Sequence, residues 1–150
     1  MLRKTLSIAL LVSSLLSCSL IYEFRDIKEI EGWRWSGSES FTFTYTTEED
    51  KTLDGTLLFR HVQGFQYPEV SFRIEIESEQ GVWDTTFVVP IRDQNGDYLG
   101  EGSVDLWDVE HAVFNARRFA AGTHTIRIHQ NTADPLPLAM EVGIQLSNTD

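Results

Sequence analysis

The sequence contains few cysteines and few basic residues, and both shortages narrow the functions open to the protein. Its single cysteine among 150 residues excludes an intramolecular disulfide and a cysteine-rich zinc or iron–sulfur site. Twelve Lys and Arg against 23 Asp and Glu give a net charge of -11, the wrong sign for binding nucleic acid or an anionic lipid surface. The length suits a single domain, and 41% hydrophobic residues suit a folded core.

The sequence also lacks an apolar run long enough to cross a membrane. Residues 5–16 are uncharged and mostly apolar, but as a helix they would span roughly 18 Å, short of the ~30 Å hydrocarbon core of a bilayer. Arg3 and Lys4 precede this run, and Ser17 and Cys18 follow it. This layout predicts a cleaved signal peptide over residues 1–17.

The segment before the only cysteine resembles the bacterial lipobox. Leu15, Leu16 and Ser17 stand directly before Cys18. We therefore expect cleavage between Ser17 and Cys18, a diacylglycerol on the Cys18 thiol and an N-acyl chain on its amine, with no other cofactor. Several acyl chains hold a soluble domain stably at a membrane. The alternative is an ordinary secretory signal with an incidental cysteine.

The residues around this site also suggest a location. Cleavage would remove Arg3 and Lys4 and leave a net charge of -13. After cleavage, the second residue of the mature chain would be Ser19 and not Asp. The residues that follow also lack the acidic run that resembles a surface-export signal in some lipoproteins. We expect a lipoprotein of the cell envelope that faces the periplasm, with the inner leaflet of the outer membrane favoured.

Beyond residue 30 the hydrophobic pattern alternates with a period of two, as in β-strands. In residues 41–46 three aromatic residues alternate with three threonines, and residues 70–77 alternate apolar and polar side chains. Similar runs cover residues 56–61, 85–89, 123–130 and 138–146; in the last, Leu138, Met140, Val142, Ile144 and Leu146 share one face. Turn sequences such as Asn95-Gly96 separate the runs.

This pattern predicts an all-β fold, a two-sheet antiparallel β-sandwich of about eight strands, either jelly-roll-like or immunoglobulin-like. We expect one domain over residues 30–150, preceded by a lipidated N-terminus and short linker over residues 18–29. Residues 108–121 fit either a helix or an irregular strand. In the helical case, an apolar stripe of Val109, Ala112, Val113 and Ala116 would face the core.

The polar motifs offer little support for catalysis or metal binding. His61, His111, His124 and His129 form no ligand motif, and the odd separation of the last two places them on opposite faces of a strand. Residues 93–97 alternate Asp, Asn and Asp like the start of an EF-hand loop, but Tyr98 stands where that loop needs glycine, which favours a hairpin turn. With no nucleophile elbow either, we expect no enzyme, no metal and no small-molecule substrate.

Four tryptophans remain as candidates for contact with a partner or a glycan. They are Trp33, Trp35, Trp83 and Trp107. Exposed rings would stack on sugars or anchor a protein partner, whereas buried rings would belong to the core. The spacing of Trp33 and Trp35 predicts that both lie on one face of a strand, with Arg34 on the other.

The order of landmarks along the chain resembles the GldH family of gliding-motility lipoproteins, found in gliding and type IX secreting bacteria. The landmarks are the lipobox, Trp33, and residues 41–43, 58–61, 67–68, 97–102, 119–126, 129–130 and 140–144. The family pattern tends to have Asn shortly after Tyr67-Pro68 and a Met-Arg pair after Gln130. Here Glu69 and Asn131 begin the corresponding segments, which indicates a divergent member.

The resemblance implies a non-enzymatic lipoprotein of the gliding and type IX secretion apparatus, with other envelope proteins of that apparatus as partners. Only Cys18 carries over as a functional position. Two functions stay open: a membrane-tethered assembly or interaction module, for which the negative charge favours a basic partner surface, and a periplasmic lipoprotein that binds polysaccharide or peptidoglycan.

Overall fold

The structure is a computed structural model that describes residues 22–149. Its strands are β1 (Phe24–Glu29), β2 (Arg34–Trp35), β3 (Ser40–Thr47), β4 (Lys51–Val62), β5 (Glu69–Ser78), β6 (Gly81–Pro90), β7 (Glu101–Gly102), β8 (Leu106–Phe119), β9 (Gly122–Gln130), β10 (Leu136–Pro137) and β11 (Ala139–Asn148). A 3-10 turn spans Glu31–Trp33. Within residues 22–149 no helix is long and apolar enough to cross a membrane.

The strands form two antiparallel sheets packed face to face. Sheet I has the order β1-β11-β4-β8-β7, and sheet II has the order β3-β9-β5-β6. The short strands β2 and β10 pair with each other, Trp35 opposite Leu136. Eight of the eleven strands in the described residues are six residues or longer. The prediction of an all-β sandwich is confirmed.

The core forms between the sheets because the alternating apolar residues of each strand share one face. In β3, Phe41, Phe43 and Tyr45 point inward, while the threonines between them are exposed. Trp35 is fully buried and packs against Phe41 and Phe72, with ring centroids 5.1 and 5.9 Å apart. Each such burial contributes about 1.5–3 kcal/mol to the free energy of folding.

The N-terminal linker is shorter than predicted. Residues 24–29 do not form a linker but β1, which pairs with β11 from Phe24 opposite Leu146 to Glu29 opposite Glu141. The strand is hard to detect in the sequence because it lies at an edge and four of its six residues are charged. The predicted signal peptide and Cys18 lie outside the described residues.

Residues 108–121 lie almost entirely in a strand and not in a helix. They belong to β8, whose pairing with β4 shifts register on both sides of Gly55. These irregularities let the ring of Phe114 occupy the space where a side chain on residue 55 would lie. The bulged strand explains why no clean period of two is visible in the sequence.

A second irregularity changes the predicted face of the last strand. Val142, Ile144 and Leu146 are buried, as the alternation predicts. Leu138 and Met140 were expected on the same face, but a bulge between Ala139 and Glu141 turns Ala139 into the core instead. Leu138 precedes β11 with a φ of 61° and, like Met140, is only partly buried.

The contact between Gly55 and Phe114 supplies a test of the packing. A Gly55→Ala substitution places a methyl group against the Phe114 ring, and we expect it to lower the free energy of unfolding by about 1–3 kcal/mol. Urea unfolding followed by tryptophan fluorescence measures the change. Thr56→Ala, next to it on the outward face of the same strand, is the control. Equal midpoints for the two variants would contradict this account of the contact.

Candidate interaction surface

The structure separates Trp33 and Trp35, contrary to the prediction that they share a strand face. Trp35 lies in β2 and is fully buried, where its indole Nε1 donates to the Glu39 carbonyl at 3.0 Å. Trp33 lies in the preceding 3-10 turn with a φ of 55°, and 41% of it is exposed. The turn changes the direction of the chain, so the spacing of two does not produce a common face.

Trp83 and Trp107 are both half-buried. The Trp83 ring meets Phe114 edge to face, and the Arg117 guanidinium covers it at 4.2 Å from the ring centroid. Trp107 packs over Gly102 and donates from Nε1 to Gln63 at 3.0 Å. Of the four tryptophans, only Trp33 is exposed. The four rings therefore do not form one platform for a sugar.

The four histidines occupy separate environments. His124 faces the core and His129 faces outward, as their odd separation predicts. The His111 ring stacks on Phe87 with centroids 5.5 Å apart and 2° between the planes. His124 Nε2 lies 2.8 Å from the Ala120 carbonyl. Over residues 22–149 no group of three or more His, Cys, Asp or Glu side chains is arranged to hold a metal ion.

His61 is the most deeply buried of these histidines. It is fully buried among Phe59, Phe65 and Tyr98, and its Nε2 makes no hydrogen bond within the described chain. Burial lowers the pKa of His61 below its ordinary value of 6.5, because the charged ring would lose its hydration. The ring is therefore neutral in the folded protein near pH 7.

Residues 93–97 form a turn whose carboxylate is already used by the backbone. Asp93 Oδ1 accepts hydrogen bonds from the amides of Asn95 and Asp97 at 2.8 and 3.0 Å. Gly96 has a φ of 86°, a conformation that glycine adopts readily. The hairpin-turn interpretation of this acidic segment is confirmed.

The loop after this turn is fastened to the body of the domain through Tyr98. The Tyr98 hydroxyl donates to the Phe65 carbonyl at 3.0 Å and accepts from the Gly64 amide at 3.0 Å. Arg92 donates to the same Phe65 carbonyl, and its guanidinium lies 3.8 Å from the Tyr98 ring centroid. These contacts hold the segment that leads into β7.

Two glycines let β7 lie close against β8. A side chain on Gly100 would collide with the Asp108 carbonyl, and one on Gly102 would collide with the Trp107 ring. Glu101, between them, is directly opposite Asp108. Like charges at directly opposite positions destabilise a sheet, and the Arg60 guanidinium, 2.7 Å from Asp108, offsets this repulsion.

The strand register aligns Glu101 and Asp108 with three further charged residues, which together form a row across the outward face of sheet I. We call it the acidic row; in spatial order it comprises Glu29, Glu141, Arg60, Asp108 and Glu101. Arg60 binds Asp108 at 2.7 Å and Glu141 at 3.1 Å, and its pKa is raised chiefly by the hydrogen bonds to Asp108. Glu29 and Glu101 have no basic partner within 4.0 Å in residues 22–149.

An apolar row lies beside the acidic row. It comprises Ile27, Gly143 and Leu58, which are opposite one another in β1, β11 and β4, and it ends at Glu110 in β8. Gly143 lets β1 lie close to β11, because a side chain there would collide with the Asp26 carbonyl and with Ile27. A cavity of about 220 Å³ opens between the two rows, and one of about 250 Å³ adjoins it at Glu101, Asp108 and Glu110.

On the outward face of sheet II, three carboxylates form ion pairs with two arginines. There Arg127 binds Glu75 and Glu77, both at 2.8 Å, and Arg73 binds Asp84 at 2.8 Å. Each carboxylate of this group faces a guanidinium. Glu69 on this face has no basic partner within residues 22–149, and neither do Glu29 and Glu101 on sheet I; of these three, Glu101 lines the cavity beside the apolar row. We take the outward face of sheet I, with both rows, as the candidate interaction surface.

The comparison with known protein families decides the classification. A family model described as GldH lipoprotein matches residues 22–146, more than half of the chain. The chain belongs to the GldH lipoprotein family. No curated protein matches it.

Membership in the GldH family implies a gliding-motility-associated lipoprotein, and the family is not a known enzyme family. The match also covers β1, which confirms that the family domain begins before residue 30. Ser17 and Cys18 lie outside both the match and the described residues, so cleavage and lipidation at these positions stay predictions.

Sequence reasoning missed the surface residues of this GldH-family domain. Glu101, Asp108, Glu110 and Glu141 stand far apart in the chain, and only strand register brings them together. The usable signal was the pair of glycines flanking Glu101, which indicated a close approach of two backbones.

The buried His61 generates a prediction about stability and pH. Its folded pKa is depressed, so the unfolded chain binds the proton first and stability falls as the pH drops below about 6.5. We expect this group to remove up to about 1.4 kcal/mol per pH unit from the free energy of unfolding. Urea unfolding at pH 7.5 and 5.5 measures the loss.

The comparison uses His61→Leu and, as a control, the outward-facing His129→Leu. We expect His61→Leu to lose less stability between the two pH values than the parent chain, and His129→Leu to follow the parent. Equal losses in all three proteins would show that His61 does not couple folding to pH.

Proposed function

We propose that the protein is a membrane-tethered interaction module of the gliding-motility and type IX secretion apparatus, without enzymatic activity. The family match over residues 22–146 carries this proposal. In this proposal Cys18 bears the lipid, and the domain faces the periplasm from the inner leaflet of the outer membrane.

The position of β1 fits such a tether. The described chain starts at Tyr22, four residues after Cys18, and the Glu23 amide donates to the Leu146 carbonyl at 2.8 Å. An extended segment covers at most ~3.6 Å per residue, so the five residues from Cys18 to Glu23 would keep a lipid on Cys18 within about 18 Å of the sheet. The outward face of sheet I is then presented to proteins close to the membrane.

The candidate interaction surface favours a partner with basic side chains. Lys and Arg place their aliphatic stems on apolar surface while their charged heads seek carboxylates. The apolar row offers the first contact at Ile27, which is 41% exposed, and Glu101 and Glu110 offer the second. The mature charge of -13 adds long-range attraction toward a basic surface.

Glycan binding, the alternative, finds less support. Sugar recognition by stacking needs exposed aromatic faces, and Arg117 already covers Trp83 while Trp35 is in the core. Trp33 alone offers an exposed indole. Titration of the intrinsic fluorescence with oligosaccharides tests this alternative, since a saturable shift requires a tryptophan in or near a sugar site.

The proposed function predicts a secretion phenotype that depends on the tether. We expect a strain lacking the chain to lose type IX cargo from the culture supernatant, measured by mass spectrometry. The full-length gene restores the cargo, and Cys18→Ala does not, because the domain loses its membrane anchor. An unchanged secretome in the deletion strain would overturn the role in secretion.

The candidate surface predicts charge-dependent association with envelope proteins. We expect Glu101→Gln and Glu110→Gln each to weaken co-purification of basic envelope partners by roughly two- to fivefold, equivalent to about 0.4–1 kcal/mol. Association of the parent chain should weaken as salt rises, since charges are screened beyond about 10 Å at 0.1 M.

Glu79→Gln is the matched control, because it removes the same charge from an exposed turn outside the candidate surface. Binding that is insensitive to salt, or that falls equally in all three variants, would show that Glu101 and Glu110 do not contribute to the interface.

A further inference from the structure

We propose that two copies of this chain pair edge to edge through β6, joining their second sheets into one continuous antiparallel sheet. This inference is independent of the proposed function. It starts from β6, which lies at the edge of sheet II and pairs only with β5 among the described strands. An open edge presents unpaired N–H and C=O groups to another strand.

The hairpin between β5 and β6 establishes which β6 residues face the open edge. Ser78 and Gly81 are opposite each other across a two-residue turn, so they form a hydrogen-bonded pair. Hydrogen-bonded and non-hydrogen-bonded pairs alternate along the ladder. The odd-numbered residues of β6 therefore direct their backbone N–H and C=O groups toward β5. The backbone groups of Val82, Asp84, Thr86 and Val88 therefore point to the open edge.

The neighbouring strand provides an independent check on this assignment. Ser71 should direct its backbone away from β6, toward β9. Its carbonyl accepts from the Asn131 amide at 2.8 Å, and its amide donates to Thr132 Oγ1 at 2.8 Å, both on the β9 side. The alternation is thus consistent across the sheet.

Other long edge strands of the sandwich carry features that discourage pairing. In β1 four of the six residues are charged. At the β3 edge, Lys28 reaches across from β1 and donates to the Thr42 carbonyl. The β8 edge is bulged opposite Gly55 and is paired with β7 at Trp107 and Asp108. Each of these edges is charged, capped or irregular.

The β6 edge has little such protection. Its ten residues include one charged side chain, Asp84, which Arg73 already neutralises at 2.8 Å. Val82 and Val88 are 62% and 48% exposed on the outward face. The ladder with β5 runs without a bulge from Gly81 to Pro90. A long, regular, nearly uncharged edge with exposed valines is suited to strand addition.

The sequence of β6 is complementary to itself about Thr85. With a two-fold axis at Thr85, Val82 is opposite Val88 of the second copy, and Asp84 is opposite Thr86. Both are hydrogen-bonded pairs, and no like charges meet. On the inner face, Trp83 is opposite Phe87 of the second copy, an aromatic pair of the kind that stabilises sheets.

Neighbouring registers are less favourable. An axis at Asp84 places two carboxylates directly opposite each other. An axis at Thr86 places Val82 opposite Pro90, which has no N–H to donate. The residues of β6 therefore select a second copy in one register as the occupant of this edge.

This symmetry is compatible with two anchored chains. A two-fold axis perpendicular to sheet II leaves both copies of sheet I on the same side of the joined sheet. Strand β1 belongs to sheet I, so both N-termini leave from that side. Two chains tethered by Cys18 can thus occupy one membrane while they pair.

A cysteine crosslinking experiment tests the pairing and its register. In the full chain carrying Cys18→Ala, the engineered thiol is the only one, and diamide is the oxidant. We expect Thr85→Cys to give a disulfide-linked dimer, because non-hydrogen-bonded partners have Cα atoms about 4.5 Å apart, within disulfide range. Val82→Cys should give none, since two copies of residue 82 lie about 20 Å apart along the strands.

Two lysine variants of the parent chain supply a second measurement that needs no oxidant. Val88→Lys places a charge beside the open edge, and we expect it to lower the dimer fraction in analytical ultracentrifugation roughly fivefold. Val104→Lys changes a valine that is 88% exposed in the turn before β8, and we expect the dimer fraction to stay that of the parent.

The outcomes separate cleanly. A Thr86→Cys dimer stronger than that of Thr85→Cys would overturn the register. A monomeric parent chain with no crosslink at either position would overturn the pairing. The secretion phenotype tests only the proposed function. A strain that loses secretion while its chain remains dimeric would therefore not contradict the pairing.

Discussion

The structure depends on the burial of aromatic side chains between the inner faces of its two sheets. Phe59 of sheet I and Phe72 of sheet II meet across the layers with ring centroids 5.4 Å apart, and Trp35 of β2 packs on Phe72, although the three residues come from different parts of the chain. This contact is nonlocal, so it forms only when every strand is in register. The irregularity at Gly55 makes room for the Phe114 ring, and the bulge after Ala139 turns Ala139 into the core.

Because the inner faces of both sheets form the core, only the outer faces and the edges can differ in charge. On sheet II, Arg73 and Arg127 pair with Asp84, Glu75 and Glu77, whereas on sheet I Glu101 and Glu29 have no basic partner among the described residues and Glu101 lines a cavity. The β6 edge is nearly uncharged. The GldH-family domain thus presents three distinct surfaces, and we assign the one that holds the acidic row and the cavity to a partner.

Much of the fold could be predicted because alternation is a local property. Phe41 to Thr46 and Val70 to Glu77 carry their burial pattern in consecutive residues. Strand β1 could not be found this way, since its partner β11 lies more than a hundred residues away and its own side chains are mostly charged. Leu138 and Met140 were misplaced because a bulge inserts one residue and reverses the alternation.

By itself the sequence determined the all-β class, the turn at residues 93–97, the opposite faces of His124 and His129, and the resemblance to a lipoprotein family. Each depends on neighbouring residues or on the order of motifs. Only the tertiary structure decided which tryptophans are buried, that Glu101 faces Asp108, and that β6 lies at an edge. These properties depend on register between distant strands, and register is selected by the packing of the whole core.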